Sequence, residues 1–249
     1  MNRIDNLFQN KKQDILSIYF PAGYPNLNDT VSNLELLQKN GADMVEIGIP
    51  FSDPLADGSA IQAASKQALD NGMKLSLLFE QLCSVRKTIN IPLLLMGYWN
   101  TIYCYGVESF LQDCQKVGID GLIIPDLPLE EFEEHYKADF HKYGIYNVLL
   151  ACPETNEDRL QRLANASQGF LYLVSSSATT GGSLKIDKKQ EAYFDRIKTI
   201  ETPSLIGFGI SNKESFEYAC QFANGAIVGT AFVKALKKNE AEEFIRGLI

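Results

Sequence analysis

One short segment holds three carboxylates in a setting that suggests chemistry. Glu46 lies within an apolar run, 44–49, and Asp53 and Asp57 lie in the Pro- and Gly-rich loop that follows. A carboxylate removed from water is costly unless it is paired with a cation or faces a cavity. We therefore expect Glu46 either to have a cationic partner or to belong to a site that needs an ionisable group.

The predicted strands contain no Lys or Arg, so an ion pair with a neighbouring strand explains Glu46 poorly. Burial in an apolar interior raises the pKa of a carboxyl group, which suits a residue that donates and accepts protons near neutrality. Asp57 could meet the same substrate from its loop, but Asp-Gly is also a common turn pair. Asp53 precedes Pro54 and could equally shape the loop, so the residues alone leave both roles open.

A second pattern is typical of phosphate binding. The segment 207–211, Gly-Phe-Gly-Ile-Ser, follows the seventh predicted strand, and Gly229-Thr230-Ala231 follows the eighth and opens a predicted helix, 232–236. Glycine turns and helix N-termini offer N–H groups to anions, and barrel enzymes often bind phosphate at these two strand ends. The Ser-, Thr- and Gly-rich segment 175–183 suits a lid or an ordinary surface loop, and Gly181 could offer another N–H.

Several other chemistries are disfavoured. No predicted strand supplies a Schiff-base lysine, and no cluster of His, Cys and carboxylate predicts a metal site. His135 and His141 lie in a polar segment that predicts a surface helix, and the five cysteines are scattered without a C-x-x-C pair. The pattern predicts acid–base chemistry on a phosphorylated small molecule, with no metal and no cofactor.

Composition limits the partners and the location. The chain has 249 residues, a net charge of −8 and no cluster of Lys and Arg, so we expect binding neither to nucleic acid nor to a membrane. No apolar run approaches the roughly 20 residues of a membrane span. Residues 1–13 lack a signal-peptide core, which predicts a cytoplasmic protein.

Short apolar runs alternate with amphipathic, helix-like stretches along the whole chain. The runs are 15–20, 44–49, 92–96, 121–124, 147–151, 170–174, 204–207 and 226–228. This alternation predicts an α/β fold, a single (β/α)₈ TIM barrel with extra helices that spans 1–249 as one domain. Chemistry lies at the C-terminal strand ends of such barrels, which places Glu46, Asp57, Tyr98, Asp126 and Tyr172 at or near one face.

The motifs, taken in order, resemble the tryptophan synthase alpha subunit family. The segment 46–58, Glu-Ile-Gly-Ile-Pro-Phe-Ser-Asp-Pro-Leu-Ala-Asp-Gly, is highly specific for that family. The likeness extends to the segments 20–25, 41–43, 61–62, 126–128, 172–175, 180–181, 207–211 and 229–231. It therefore covers nearly the whole chain, although the glycine motifs are shared with other phosphate-binding barrels.

The resemblance implies a lyase that splits indole-3-glycerol phosphate into indole and glyceraldehyde 3-phosphate by a retro-aldol reaction. Glu46 is then the general acid and base, and Asp57 holds the indole N–H. The other contacts implied are Tyr19, Met96 and Tyr172 around the indole, and Gly181, Gly209, Gly229 and Thr230 around the phosphate.

The resemblance also implies a partner, the PLP-dependent beta subunit of an alpha₂beta₂ complex, which receives the indole for tryptophan synthesis. Ser59 and Ser176 depart from the residues usual in the family, Pro and Arg, which affects loop closure more than the reaction. A free-standing lyase on a phosphorylated indole and a pseudoenzyme that only activates a partner stay open as alternatives.

Overall fold

A parallel sheet forms the centre of the molecule. The computed structural model describes residues 1–174, 188–207 and 209–249. Its strands are β1 (Ile15–Pro21), β2 (Met44–Gly48), β3 (Leu93–Met96), β4 (Gly121–Ile123), β5 (Tyr146–Val148), β6 (Leu150–Ala151), β7 (Leu171–Val174), β8 (Ser204–Gly207) and β9 (Gly225–Val228). The hydrogen-bonded order is β5-β4-β3-β2-β1-β9-β8-β7-β6, and every neighbouring pair is parallel.

The barrel closes where the chain passes from β5 to β6. These two strands are the ends of the hydrogen-bonded order, yet only Leu149 separates them in sequence. β5 pairs with β4 and β6 pairs with β7, so the fifth strand changes partner at Leu149. The single run predicted at 147–151 is wrong in this respect, because a change of partner depends on tertiary pairing. The predicted (β/α)₈ barrel is confirmed.

Helices follow most of the strands and cover the outside of the barrel. They are α1 (Arg3–Asn10), α2 (Asp29–Lys39), α3 (Ser59–Asp70), α4 (Leu75–Leu82), α5 (Trp99–Tyr105), α6 (Val107–Val117), α7 (Leu129–Glu131), α8 (Lys137–Tyr143), α9 (Glu157–Ala166), α10 (Lys188–Ile197), α11 (Lys213–Ala219), α12 (Thr230–Lys238) and α13 (Ala241–Arg246), with a 3₁₀ turn at Val85–Lys87 and a π-helical turn at Phe132–Tyr136. The extra helices predicted between β2 and β3 correspond to α3 and α4.

Two apolar cores result from the alternation of side chains along the strands. The larger core lies between the strands and the surrounding helices. The smaller core fills the barrel, and helix α1 contributes Ile4 and Phe8 to it, with Phe8 packed 5.8 Å from the ring of Phe170. The helix thus closes the N-terminal end of the barrel, and the open end is the one where the strands finish.

No helix among the described residues is long and apolar enough to cross a membrane.

Candidate active site

Glu46 is completely buried on the inner side of β2, between Tyr19 of β1 and Leu94 of β3 in the strand register. Its Oε1 accepts a hydrogen bond from the Ser17 hydroxyl at 2.9 Å. Its Oε2 is buried and has no hydrogen-bond partner among the described residues. Burial raises the pKa of Glu46 to about 8, and the bond from Ser17 opposes that rise. The carboxyl group is therefore protonated at neutral pH.

Asp57 lies in the loop between β2 and α3 and is held there by Tyr98. The Tyr98 hydroxyl accepts a bond from the Ala56 N–H at 3.0 Å and lies 3.4 Å from Asp57 Oδ2, to which it donates. The Tyr98 ring also stacks on Phe51, with centroids 5.0 Å apart. Burial raises the pKa of Asp57 to about 6, against the opposing effect of the bond from Tyr98.

Two further tyrosines lie close to both carboxyl groups. Tyr19 and Tyr172 both have a pKa well above the ordinary value, first because of burial and then because both Glu46 and Asp57 are close enough to repel a phenolate. Both phenols therefore lie near both carboxyl groups, which places the four side chains close together at the ends of the strands.

Glycines make room for these rings. A Cβ on Gly48 would lie 2.3 Å from the Tyr19 hydroxyl, and a Cβ on Gly207 would lie 2.2 Å from the Tyr172 hydroxyl. Both glycines end their strands, so each phenol reaches across to a neighbouring strand end. Met96, which ends β3 and pairs with Gly48, packs against the core inside the barrel.

The residues predicted to bind phosphate follow β8 and β9. Gly229 is the N-cap of α12, which begins at Thr230, two residues before the start predicted from sequence. The Thr230 Oγ1 is buried and has no partner among the described residues, so it is free to donate to a ligand. Gly209 has a φ of +79°, which a residue with a side chain adopts only with strain. Gly181 and the rest of the predicted lid, with Ser176, lie outside the described residues.

The other residues singled out in the sequence are exposed. Asp53 is exposed and accepts a bond from Ser52 at 2.6 Å. Asp126 is exposed and accepts the Trp99 N–H at 2.8 Å, so it caps helix α5. Ser59 is exposed at the start of α3. Both histidines lie on the surface, as predicted.

Two residues that touch the site were missed in the sequence. Ser17 is a polar residue on an apolar strand, two positions before Tyr19 and hence on the same face, and that spacing was the available signal. Gln62 donates to the backbone oxygens of Asp57 at 2.9 Å and Pro54 at 3.3 Å, and so secures the loop from helix α3. Only the folded loop reveals this contact.

The fold and the site define a class: (β/α)₈-barrel enzymes with a buried carboxyl group on an inner strand and a second carboxyl group on the loop that follows that strand. The family model for the tryptophan synthase alpha chain matches residues 5–246. The chain belongs to the tryptophan synthase alpha chain family, as its motifs predict.

Named relatives and solved structures agree with this assignment. The chain is 55% identical to the tryptophan synthase alpha chain of Flavobacterium psychrophilum, over 96% of this chain and 95% of the relative. It is 48% identical to that of Bacteroides thetaiotaomicron, over 98% and 96%. The structure of tryptophan synthase subunit alpha from Legionella pneumophila superposes with a TM-score of 0.89 at 34% identity, over 100% of this chain and 97% of that chain. For Mycobacterium tuberculosis tryptophan synthase the TM-score is 0.91 at 28% identity, over 99% and 96%.

Proposed function

We propose that this chain cleaves indole-3-glycerol phosphate to indole and glyceraldehyde 3-phosphate. The observation that carries the proposal is the placement of two carboxyl groups at the same end of the barrel, with burial raising the pKa of Glu46 to about 8 and that of Asp57 to about 6. A retro-aldol cleavage of this substrate needs an acid for one carbon, a base for one hydroxyl and an anion beside the ring nitrogen. Family membership supports the same substrate.

The two carboxyl groups have distinct tasks. Glu46 donates its proton to C3 of the indole, and the Asp57 carboxylate holds the ring N–H and stabilises the positive charge of the protonated indolenine that forms. Glu46, now ionised, takes the proton of the glycerol hydroxyl next to the ring. The bond between C3 and the glycerol carbon then breaks, its electron pair returns to the ring and neutralises the charge, and the oxygen becomes that of the aldehyde. The ring keeps its N–H throughout, and Glu46 ends protonated as it began.

The remaining residues bind the two ends of the substrate. Tyr19, Met96 and Tyr172 surround the indole, since they line the upper part of the barrel interior next to Glu46. The phosphate binds at the ends of β8 and β9, and the residues proposed to contact it are Gly181, Gly209, Gly229 and Thr230. Two features support this placement: the Thr230 hydroxyl, which is buried and has no partner among residues 1–174, 188–207 and 209–249, and the N-terminus of α12.

The partner is the tryptophan synthase beta subunit, in an alpha₂beta₂ complex that turns the released indole into tryptophan. PLP belongs to that subunit and not to this chain. We propose a cytoplasmic location for the complex.

An assay of indole release tests this function. Purified chain is given indole-3-glycerol phosphate, alone and with the beta subunit. Slow release alone and a large rise with the partner are expected. Fast release without the partner would favour the free-standing lyase, and no release by a folded chain in either condition would favour the pseudoenzyme.

A further inference from the structure

Ser17 is a polar residue in an unusual position. Its side chain has no solvent exposure, and it lies in β1 directly below Tyr19 on the face that points into the barrel. In the strand register it stands between Met44 of β2 and Ile227 of β9, both members of the apolar core inside the barrel. A hydroxyl placed there loses its hydration, so it is costly unless it has a hydrogen-bond partner.

That partner is the carboxyl group of Glu46. The Ser17 hydroxyl donates to Glu46 Oε1 at 2.9 Å, and both side chains are fully buried. The bond leaves Oε2 as the oxygen without a partner among the described residues. The two oxygens of one carboxyl group are thus distinguished, one fixed from below and the other available for proton exchange.

We propose that Ser17 is a positioning residue, which anchors Oε1 of Glu46 so that Oε2 is presented to the substrate. The proposal rests on the function proposed above, because it assumes that Glu46 exchanges protons with the substrate. Ser17 does not contact the substrate itself, and it acts only through Glu46.

A purely structural role accounts poorly for this residue. Alanine would pack against Met44 and Ile227 without leaving a hydroxyl to satisfy, and the strand hydrogen bonds do not involve the side chain. The hydroxyl is required only if the Glu46 carboxyl needs a fixed orientation and a partner for its charged form. A donor stabilises the carboxylate, so Ser17 also limits the rise in pKa that burial causes.

The other titratable groups around Glu46 have pKa values different from its own, so its titration can be distinguished from theirs. They are Tyr19 on β1, Tyr172 on β7 and Asp57 in the loop after β2, with Tyr98 beyond Asp57. The pKa of both Tyr19 and Tyr172 lies well above 10, and that of Asp57 is about 6. A transition near pH 8 therefore belongs to Glu46.

The kinetic test compares Ser17→Ala with Ser17→Thr in the complex with the beta subunit. For Ser17→Ala, kcat is expected to fall roughly tenfold with little change in KM, and the alkaline limb of the pH profile to move up by about one pH unit, the scale of one charge-assisted hydrogen bond. Ser17→Thr keeps the donor and suits a strand, so it should restore both properties. Ser204→Ala, which removes a buried serine of β8, is the matched control and should change neither.

A second measurement does not depend on turnover. The titration of the Glu46 carboxyl group is followed by carbon NMR in the free chain, with Glu46→Gln to assign the signal. A midpoint that moves up in Ser17→Ala and returns in Ser17→Thr supports the proposal. An unchanged midpoint in a folded Ser17→Ala, or lost activity with an unmoved alkaline limb, overturns it. Should the wild-type complex release no indole, the proposed function fails, while the titration still reports on Ser17.

Discussion

Burial raises the pKa of Glu46 to about 8 and that of Asp57 only to about 6, although both side chains lie at the same end of the barrel. The difference has a local cause. Glu46 is enclosed by the strands and accepts a hydrogen bond from Ser17, whereas Asp57 lies on a loop, partly exposed, beside Tyr98. When two carboxyl groups have different environments, their pKa values differ, so one can act as the acid while the other is an anion.

The pH dependence of the reaction follows from these two groups. The proposed mechanism needs Asp57 ionised and Glu46 protonated, so kcat/KM should fall below about pH 6 and again above about pH 8. A plot of kcat/KM against pH for the complex should give this bell. For Asp57→Asn, the pH profile of any remaining activity should no longer fall below pH 6. A profile that keeps rising beyond pH 9 would contradict the assignment of Glu46 as the initial acid.

Replacement of the buried carboxyl group tests its role directly. Glu46→Gln keeps the shape of the side chain and can still accept from Ser17, but it cannot transfer a proton. We expect kcat to fall by roughly two orders of magnitude or more while substrate binding is retained. Glu80→Gln, at an exposed glutamate of helix α4, is the matched control for the same chemical change. Near-normal turnover of Glu46→Gln, measured as indole release, would refute the mechanism.

The conformation of the loop between β2 and α3 depends on the segment that follows β3. Tyr98 holds Ala56 and Asp57 through its hydroxyl and Phe51 through its ring. Tyr98→Phe would remove the two hydrogen bonds and leave the stack. We expect kcat/KM to fall roughly tenfold and the Ala56 amide to exchange faster with deuterium.

The matched control for this change is Tyr103→Phe, at an exposed tyrosine on helix α5. It should alter neither the rate nor the exchange of the Ala56 amide. Wild-type exchange at Ala56 in Tyr98→Phe would mean that Gln62 alone secures the loop.

The N-terminus of helix α12 gives another prediction. The Thr230 hydroxyl is buried and has no hydrogen-bond partner in the described part of the chain, so Thr230→Val, a change of nearly the same shape, should leave the stability of the free chain equal or higher. The same variant should raise KM roughly tenfold, because a hydrogen bond to the phosphate is lost. Thermal melting of the free chain and steady-state kinetics check the two parts. An unchanged KM would remove Thr230 from the phosphate site.

The elements were largely predictable because a strand covered on both faces is a continuous apolar run. Seven of the eight predicted runs match single strands to within one residue at each end. The break at Leu149 was not predictable, since it follows from which neighbour each half pairs with. The same holds for Ser17 and Tyr98, whose roles depend on side chains that approach from other elements. Glu46 was predictable because a lone carboxylate in such a run is costly.

The raised pKa of Glu46 makes the stability of the folded chain depend on pH. The pKa is 4.5 ordinarily and about 8 in the folded chain, so between these values the native state holds a proton that the unfolded state has lost. The free energy of unfolding therefore falls as pH rises from about 4.5 to 8 and does not change further from this source. The loss is on the order of 5 kcal/mol.

Glu46→Gln should not show this loss. The free energy of unfolding of Glu46→Gln, measured with denaturant, should exceed that of the wild type by little at pH 4 and by several kcal/mol at pH 9. Glu80→Gln should follow the wild type at every pH. Parallel stability curves for Glu46→Gln and the wild type would show that the pKa of Glu46 is not raised in the native state.

Helix α1 has a consequence for how the chain is made. It is synthesised before the strands, yet Asn2, Arg3 and Asp5 bond residues more than 100 positions later, at Asp120 and Tyr146. On the ribosome, the apolar side chains of Ile4 and Phe8 therefore stay uncovered until Phe170 has emerged. A helix that precedes the barrel completes its core, so a nascent chain that ends before Phe170 exposes an apolar surface that favours aggregation.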